Sequence, residues 1–382
     1  MNYLEKLLNR TITKTYKNDG KVHVFYFGCY ENGTGLYRSI LPWYAMNEMS
    51  DTHISIIRQV WEWDFNTQGE PFKIKTDNYF RKQLEWADYF VFPTVFSPLK
   101  EVIDFIKSVN PNIVTCYDID DNYDKISATH PNKGMWNESV RSAIRQNISS
   151  VDMLITATEP LKQYYTHKNS VVMPNVISSI CHEPKDLLQS IAHRLNDNAE
   201  RKVRIGLIVN ATHYEDTVWF CKSVLNKIIP GNTKVQLVVF GWNGFNGSYT
   251  NPFADIGKDN IEFVPGVPVG EYFNKLAALK LDIGIIPLRE TEFNKYKSSQ
   301  RYAEFAMLKI PVIIGSSSAY GEGLSEIRCN SPDDFIMAIG SLVDDHEERQ
   351  TTSMILQSGV LSTLEHSPEI LNNITETVFP KT

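Results

Sequence analysis

The fold is decided by residues 282–315, which have the sequence DIGIIPLRETEFNKYKSSQRYAEFAMLKIPVIIG. Two apolar runs rich in isoleucine, 282–288 and 310–314, enclose a charged loop and a segment long enough for a short helix. Each run has the length and the β-branched composition of a buried strand. A strand, a loop, a helix and a second strand in this order are typical of a parallel sheet with crossover helices. The stretch therefore predicts an α/β fold.

The same alternation of strands and helices occurs in two sets along the chain. The predicted strands are 22–27, 53–57, 89–92, 113–117, 153–156 and 171–173 in the first set, and 204–209, 236–240, 261–264, 282–287 and 312–315 in the second. Residues 177–202, between the sets, have the polar composition of a linker. We predict two Rossmann-like domains, 1–176 and 203–345, that face a central cleft, and C-terminal helices at 346–382 that cross back and pack on the first domain.

Composition and charge narrow the class of protein. The net charge of −7 argues against general nucleic-acid binding, because Lys and Arg side chains supply most of the affinity for phosphate. No apolar run reaches the roughly 18 residues that span a bilayer, and the N-terminus lacks the apolar core of a signal peptide. Five isolated cysteines are typical of reduced thiols. We expect a cytoplasmic protein without stable membrane insertion, and the oligomeric state is not predicted.

The loop after the first predicted strand is rich in glycine. Ligands of open parallel sheets bind beyond the carboxyl ends of the strands, so this loop is a candidate site. Gly33, Thr34 and Gly35 precede a predicted helix, and Arg38 follows them. Glycines let the backbone approach a diphosphate, whose charge the helix N-terminus favours. A plain tight turn is the alternative.

Three carboxylates follow the strand at 113–117 within four residues. Asp118, Asp120 and Asp121 repel one another, so such a cluster is rarely retained for stability alone. It could hold Mg²⁺ or Mn²⁺, bind sugar hydroxyls or stabilise a developing cation. An acidic turn that caps a helix is the alternative.

Two further loops of the second domain contain candidate phosphate ligands. Thr212 and His213 lie at the predicted start of a helix, whose free backbone amides favour phosphate. In the charged loop of the opening stretch, Ser298 and Ser299 are placed to cap a helix, while Lys297 and Arg301 are placed to neutralise phosphate. Glu304 follows Arg301 by three residues, which also suits a simple surface ion pair.

Together these segments resemble the retaining GT-B glycosyltransferases, the broad family that includes sucrose synthase. Members of that family have a Glu-x7-Glu motif in the second domain. Glu304 matches the second glutamate, whereas Tyr296 lies where the first would be. Residues 297–304, KSSQRYAE, look like the Lys-Ser-x-x-Lys-x-x-Glu form of one branch. The order of the segments at 33–38, 117–121, 158–161, 174–175 and 212–216 looks like phage and bacterial members of this branch, which places the chain in the host cytoplasm if it is phage-encoded.

The resemblance implies transfer of a sugar, with retention of configuration, from a nucleotide-diphosphate sugar that is most commonly a UDP-sugar. It implies donor binding by Gly33, Thr34, Gly35, Arg38, Thr212, His213, Lys297, Ser298, Ser299, Arg301 and Glu304. Lys297 would also act in catalysis by stabilising the leaving diphosphate, and one of Asp118, Asp120 and Asp121 would orient the sugar or stabilise its positive charge. No cofactor is then required, and a metal ion at Asp120 and Asp121 is the alternative.

The chain also departs from the pattern of the family just after the first strand of the second domain. Many relatives have an arginine and a lysine just after the first strand of the second domain, and residues 210–216 contain neither. Lys297 and Arg301, with Arg38 or Arg289, would have to supply that positive charge.

The sequence leaves three functions open: two classes of acceptor for a transferase, and a protein that only binds its ligand. Resemblance to phage members suggests a hydroxymethylated pyrimidine in DNA, whose recognition needs a basic rim with aromatic side chains. The candidates for this rim are Trp61, Trp63, Lys73, Lys75, Arg81 and Lys82. The alternative is that the tryptophans belong to the core and that the basic residues lie on a solvated helix. A surface polysaccharide or lipid-linked glycan would suit the weak apolar face of Tyr3, Leu4, Leu7 and Leu8. A non-catalytic GT-B-like nucleotide or sugar-binding protein is the third alternative, and donor hydrolysis distinguishes it from both transferases.

Overall fold

The chain forms two six-stranded parallel sheets covered by helices. The computed structural model describes residues 20–27, 32–58, 78–127, 130, 133–177, 181, 184–195, 201–244, 249–320, 327–363 and 368–381. The strands are β1 Val22–Phe27, β2 His53–Arg58, β3 Tyr89–Phe92, β4 Val114–Ile119, β5 Met153–Thr156, β6 Ser170–Val172, β7 Val203–Ile208, β8 Val235–Phe240, β9 Ile261–Val264, β10 Ile283–Ile286, β11 Val312–Gly315 and β12 Ile327–Cys329. We call the first sheet with its helices the N-terminal lobe and the second the C-terminal lobe.

Helices connect most of the successive strands of both sheets. They are α1 Gly33–Gly35, α2 Leu41–Met49, α3 Asn78–Trp86, α4 Lys100–Val109, α5 Glu138–Ser150, α6 Glu159–Tyr164, α7 Pro184–Leu195, α8 Tyr214–Phe220, α9 Asn226–Ile228, α10 Val269–Ala278, α11 Gln300–Met307, α12 Pro332–Asp344, α13 His346–Thr363 and α14 Pro368–Val378. A π-helical turn, Leu36–Ile40, joins α1 to α2, and a second, Cys221–Leu225, joins α8 to α9.

The residue patterns explain these elements. All six residues of β1 are buried, as expected for a parallel strand covered by helices on both faces. In α4, Val102, Ile103 and Ile106 are buried at helical spacing, which gives the helix one apolar face against the sheet. The cores of both sheets therefore form between the strands and such helical faces.

The strand orders place the ligand-binding edge of each sheet. The first sheet has the order β2-β1-β3-β4-β5-β6, and the second has the order β12-β11-β10-β7-β8-β9. The chain changes direction across the sheet between β1 and β3 in the first and between β7 and β10 in the second. Crevices for ligands open at such switch points, outside the carboxyl ends of the strands. In this structure these ends of the two sheets face one another.

Two details of the sheets differ from the sequence prediction. Strand β12 was not predicted, because three residues at a sheet edge carry too little periodic signal. Strand β4 continues to Ile119, so Asp118 lies inside the strand rather than in the loop after it. The strand can include this buried carboxylate because Arg38 forms an ion pair with it.

Of the two C-terminal helices that were predicted to pack on the first domain, only the last does so. Helix α13 packs against α11 of the C-terminal lobe, whereas α14 packs against α2 and β6 of the N-terminal lobe. The segment after α14 is fixed there by two hydrogen bonds: His53 Nε2 lies 2.8 Å from the Phe379 carbonyl oxygen, and the Tyr89 hydroxyl donates to the Pro380 carbonyl oxygen at 2.6 Å. The range 346–382 therefore divides between the two lobes.

Some predicted surfaces lie outside the described residues. These include the apolar N-terminal face of Tyr3, Leu4, Leu7 and Leu8, and Trp61, Trp63, Lys73 and Lys75 of the basic rim. Arg81 and Lys82 are exposed on α3, where the Arg81 guanidinium lies 5.1 Å from the centre of the Phe105 ring. Within the described ranges, no helix is both long enough and apolar enough to cross a bilayer.

Gly315, at the end of β11, is expected to be intolerant of a side chain. A Cβ atom there would lie 2.2 Å from the backbone oxygen of Leu288, in the strand-end loop that follows β10. Gly315→Ala should lower the free energy of unfolding by about 1–3 kcal/mol, because backbone atoms must shift to relieve the overlap. Gly340→Ala is the matched control: nothing lies within 4 Å on exposed α12, so a gain of about 0.5–1 kcal/mol is expected. Equal effects of the two changes in urea denaturation would contradict this account.

Candidate functional site

A cavity of about 680 Å³ lies between the two lobes. The loop and helix start after β1 and the acidic segment after β4 line it from the N-terminal lobe. The loops after β7, β8 and β10 and the start of α11 line it from the C-terminal lobe. A cavity of this size is large enough for a small-molecule ligand.

The glycine segment forms the start of a helix in the N-terminal wall. Asn32 caps α1, and its Oδ1 accepts a hydrogen bond from the Gly35 amide at 2.9 Å. Gly33 and Thr34 line the cavity, and Gly35 is buried behind them. The first amides of this helix lack intrahelical partners, so they suit an anion or a hydroxyl oxygen.

Arg38 and Asp118 do not line the cavity. Both side chains are 2% exposed, and the Arg38 guanidinium binds both carboxylate oxygens of Asp118. Burial raises the pKa of Asp118 to about 6, against the lowering effect of Arg38. Arg38 Nη1 also donates to the Met173 carbonyl oxygen and to Asn175 Oδ1. The two residues therefore form a supporting ion pair behind the wall rather than the direct donor and sugar contacts that we predicted.

Asp120 and Asp121 do line the cavity, with different partners. Asp120 accepts hydrogen bonds from the hydroxyls of Thr34, at 2.8 Å, and Tyr123, at 3.1 Å. Asp121 forms an ion pair with Lys297 of the opposite lobe, with Nζ 2.7 Å from Oδ1. Burial raises the pKa of Asp121 to about 6, although Lys297 acts to lower it. Among the described contacts, Asp118 and Asp121 are each paired with a cation, whereas Asp120 is held by hydroxyl groups.

These carboxylates fit a metal ion poorly. Within the part of the chain that the structure describes, no group of three or more His, Cys, Asp or Glu side chains is arranged to hold one. The Lys297 ammonium group lies against Asp121, where it would repel a dication. We therefore assign no step of the chemistry to a metal.

The start of α11 forms the opposite wall. Lys297 and Ser298, just before this helix, and Gln300 and Arg301, in its first turn, line the cavity. Ser299 occupies the N-cap position, but its side chain makes no capping hydrogen bond and does not line the cavity. The free amides of the first turn and the side chains of Lys297 and Arg301 are hydrogen-bond donors that suit a diphosphate. In this structure each of these two cations is paired with a carboxylate, Lys297 with Asp121 and Arg301 with Glu304.

Glu304, one turn further along α11, is held by side chains from both lobes. Its Oε1 accepts hydrogen bonds from the Tyr37 hydroxyl at 3.0 Å and from Gln300 Nε2 at 3.1 Å. Its Oε2 accepts from the Tyr272 hydroxyl at 2.6 Å and lies 3.3 Å from Arg301 Nε. The residue is 2% exposed, so the alternative of a surface ion pair with Arg301 is wrong.

Tyr296, at the position of the missing first glutamate, points away from the cavity. It is 7% exposed and packs against Tyr164 of the N-terminal lobe, with ring centres 5.4 Å apart. Its carbonyl oxygen accepts a hydrogen bond from the Thr158 hydroxyl at 3.0 Å. Tyr296 therefore holds the lobes together instead of contacting a ligand.

His213 lies in the wall after β7, beside Thr212. Asn210 caps this turn, since its Oδ1 accepts from the His213 amide at 3.1 Å. The His213 ring lies 3.8 Å from Asp216, which also accepts hydrogen bonds from Arg289 Nε and Asn294 Nδ2, both at 2.8 Å. Arg289 is held there and does not line the cavity. Lys297 and Arg301 are consequently the cations among the described lining residues.

The protonation of His213 gives a testable pH dependence. Burial lowers the pKa of His213 from 6.5 to about 4, with Asp216 opposing the shift and the nearby cations adding to it. Between pH 6.5 and about 4 the unfolded chain binds a proton here that the folded chain does not, so the contribution of this residue to stability is lost as the pH falls. As the pH falls from 7 to 5, the free energy of unfolding measured by urea denaturation should decrease less for His213→Gln than for the wild type. His167→Gln, at a half-buried position outside the cavity, is the control, and an unchanged pH dependence in His213→Gln would contradict the lowered pKa of His213.

The cavity also contains residues that the sequence analysis did not assign to the site. Among them are the polar residues Asn32, Tyr37, Asn175, Asp216, Tyr272 and Gln300. The position of Tyr37 next to Arg38, and that of Gln300 inside the Lys-Ser segment, are signals that could have identified two of them. Tyr272 lies on α10, far in sequence from every recognised segment, so only the fold brings it to the site.

The known structures most informative here share this architecture at low sequence identity. HepE from Anabaena, solved with UDP-glucose, is 10% identical, with 93% of this chain and 98% of that chain covered and a TM-score of 0.60. Sucrose-phosphate synthase from Thermosynechococcus elongatus is 11% identical, with the same coverage and TM-score. A glycosyltransferase from Rickettsia africae is 11% identical, with 94% and 100% covered and a TM-score of 0.58. No protein-family model and no curated protein sequence matches the chain.

These similarities establish the fold. The two six-stranded parallel sheets with interleaved helices are the GT-B fold of glycosyltransferases, as the sequence predicted.

Proposed function

We propose that the protein is a glycosyltransferase that moves a sugar from a nucleotide-diphosphate sugar to a hydroxyl acceptor, with a UDP-sugar as the favoured donor. The arrangement of Lys297, Arg301 and Glu304 around the start of α11, inside an interlobe cavity, carries this proposal. The two cations and the free helix amides suit a diphosphate, while a carboxylate one turn deeper suits the hydroxyls of a ribose. The presence of UDP-glucose in the HepE structure supports the choice of donor.

In this proposal, catalysis is electrostatic. Lys297, Arg301 and the α11 amides stabilise the negative charge on the departing nucleoside diphosphate. Asp120 stabilises the positive charge on the sugar or orients the acceptor hydroxyl, since Asp118 lies behind the wall and Asp121 is paired with Lys297. The resemblance to the retaining branch supports retention of configuration, in which the departing phosphate accepts the proton of the acceptor hydroxyl as the sugar–phosphate bond breaks and the glycosidic bond forms. The cleft holds acceptor and donor together and limits attack by water.

A hydroxymethylated pyrimidine in phage DNA is the acceptor that we propose, on the resemblance to phage members alone. Such an enzyme would act in the host cytoplasm. Incubation with DNA containing hydroxymethylcytosine and with unmodified DNA of the same sequence tests this choice. Transfer to both DNAs, or to neither, would redirect the search to polysaccharide or lipid-linked acceptors.

Donor binding and hydrolysis test the proposal itself. The purified protein should be stabilised against heat by UDP or by a UDP-sugar, and it should slowly release UDP from the donor in the absence of an acceptor. The assay should include GDP and ADP sugars and be run with EDTA and with Mg²⁺ or Mn²⁺. Stabilisation without any hydrolysis would favour the non-catalytic binder, and no stabilisation by any nucleotide would overturn the proposal.

A further inference from the structure

Asn175 lies where the N-terminal lobe meets the start of α11. It follows β6 and lines the cavity. Its side chain contacts three residues: Arg38 on its own lobe, and Ser298 and Gln300 on the other. The amide group of Asn175 therefore connects the two walls of the proposed donor site.

The buried ion pair behind the wall fixes the orientation of this amide. Arg38 Nη1 is a donor only, so the atom 2.9 Å from it must be the Asn175 carbonyl oxygen. Arg38 is itself held by both oxygens of Asp118 and is 2% exposed. The NH₂ group of Asn175 then points to Ser298 Oγ, at 2.9 Å, and to Gln300 Oε1, at 3.1 Å.

The orientation of the Asn175 amide determines the orientation of the Gln300 amide, which contacts Glu304. Because Gln300 Oε1 accepts from Asn175, its Nε2 is the atom that faces Glu304, and it donates to Oε1 at 3.1 Å. Tyr37, adjacent to Arg38 on the same π-helical turn, donates to the same carboxylate oxygen. The contacts form a closed ring through Arg38, Asn175, Gln300, Glu304 and Tyr37, in which each donor and acceptor is determined by the Arg38 cation and the Glu304 anion.

We infer that Asn175 is a positioning residue of the donor site, which sets the place and hydrogen-bonding state of the Glu304 carboxylate through Gln300. The inference rests on the proposed function of Glu304 in binding the donor. Asn175 needs no contact with the donor for this role. A side-chain amide is required at this position because its oxygen accepts a hydrogen bond from Arg38, while its NH₂ group donates to Ser298 and Gln300.

A double-mutant cycle measures this coupling. The probe is UDP, with UDP-glucose as a second ligand, and its dissociation constant is measured by calorimetry for the wild type, Asn175→Ala, Glu304→Gln and the double variant. Asn175→Ala alone should weaken binding about tenfold, as expected for one or two lost hydrogen bonds. In the Glu304→Gln background the same change should weaken binding less than about twofold, because its effect acts through that carboxylate. Equal effects in both backgrounds would overturn the inference.

Asn175→Asp separates positioning from simple loss of packing. The aspartate keeps the size of the side chain and the acceptor for Arg38 but has no NH₂ group. Gln300 must then turn its NH₂ group towards residue 175, which places its carbonyl oxygen against Glu304. We expect this variant to bind UDP at least as weakly as Asn175→Ala, although its side chain fills the same space as that of the wild type. Binding at wild-type strength would contradict the inference.

Asn110→Ala is the matched control. Asn110 also donates two hydrogen bonds across a junction, to the carbonyl oxygens of Leu84 and Ala87, but far from the cavity. It should lower thermal stability without changing the affinity for UDP. Failure of the wild type to bind UDP or UDP-glucose would count against the proposed function, whereas wild-type binding with additive mutations would count against the role of Asn175 alone.

Discussion

Glu304→Gln is expected to raise the dissociation constant for UDP-glucose about 10- to 150-fold. This range corresponds to about 1.5–3 kcal/mol, the usual contribution of a hydrogen bond to a charged group. Glutamine keeps the size of the side chain and one acceptor oxygen, but it loses the negative charge beside Arg301 and places an NH₂ group against one of its present donors. The measurement is calorimetric titration of the folded variant, and unchanged affinity would remove Glu304 from the donor site.

The structure shows why alanine is the poorer test of Glu304. In Glu304→Ala the hydroxyls of Tyr37 and Tyr272 and the NH₂ group of Gln300 would lose their acceptor inside the protein. Unpaired buried donors cost about 1–3 kcal/mol each, so a loss of stability would accompany any loss of binding.

Lys297→Met is expected to lower the turnover number about 10²- to 10³-fold. Loss of one preorganised group that stabilises transition-state charge has an effect of this size. Lys297 lies at the start of α11 and is the cation nearest to Asp121, with 14% of its side chain exposed. The variant would be assayed by transfer or, without an acceptor, by release of UDP from UDP-glucose.

The double variant Lys297→Met, Asp121→Asn separates catalysis from stability. Lys297→Met alone leaves Asp121 largely buried without its counter-ion, so it is expected to be less stable than the wild type. Adding Asp121→Asn removes that charge and should restore thermal stability. If turnover stays low in the stable double variant, Lys297 acts on the leaving group. If turnover recovers together with stability, the lysine serves only to neutralise Asp121.

The fold could be predicted from the sequence because its signals are local. Runs such as 22–27 and 312–315 are apolar, short and bounded by turn residues, and each appears as a strand within one or two residues of its predicted limits. The capping box at Ser331 marks the start of α12 in the same way. Residues 346–363 carry no comparable signal for a partner, so their packing against α11 could not be deduced.

The candidate site was only partly predictable because its contacts are long-range. The Lys-Ser segment and Asp120 and Asp121 were selected from their own neighbourhoods, and the structure brings them to one cavity. Arg38 and Asp118 were selected by the same reasoning but pair with each other over 80 residues of sequence, behind the wall. Spacing along the chain cannot show which charges meet, so it cannot distinguish a charge that awaits a ligand from one that is already neutralised.

The return of α14 to the N-terminal lobe has a consequence for synthesis of the chain on the ribosome. Phe379 packs on the rings of Tyr26 and Tyr89, which belong to β1 and β3. The contact of Phe379 with those rings forms only after about 300 further residues have been translated. The core of the N-terminal lobe is therefore completed only after the C-terminal lobe has been synthesised. Until then the N-terminal lobe can bind chaperones or aggregate.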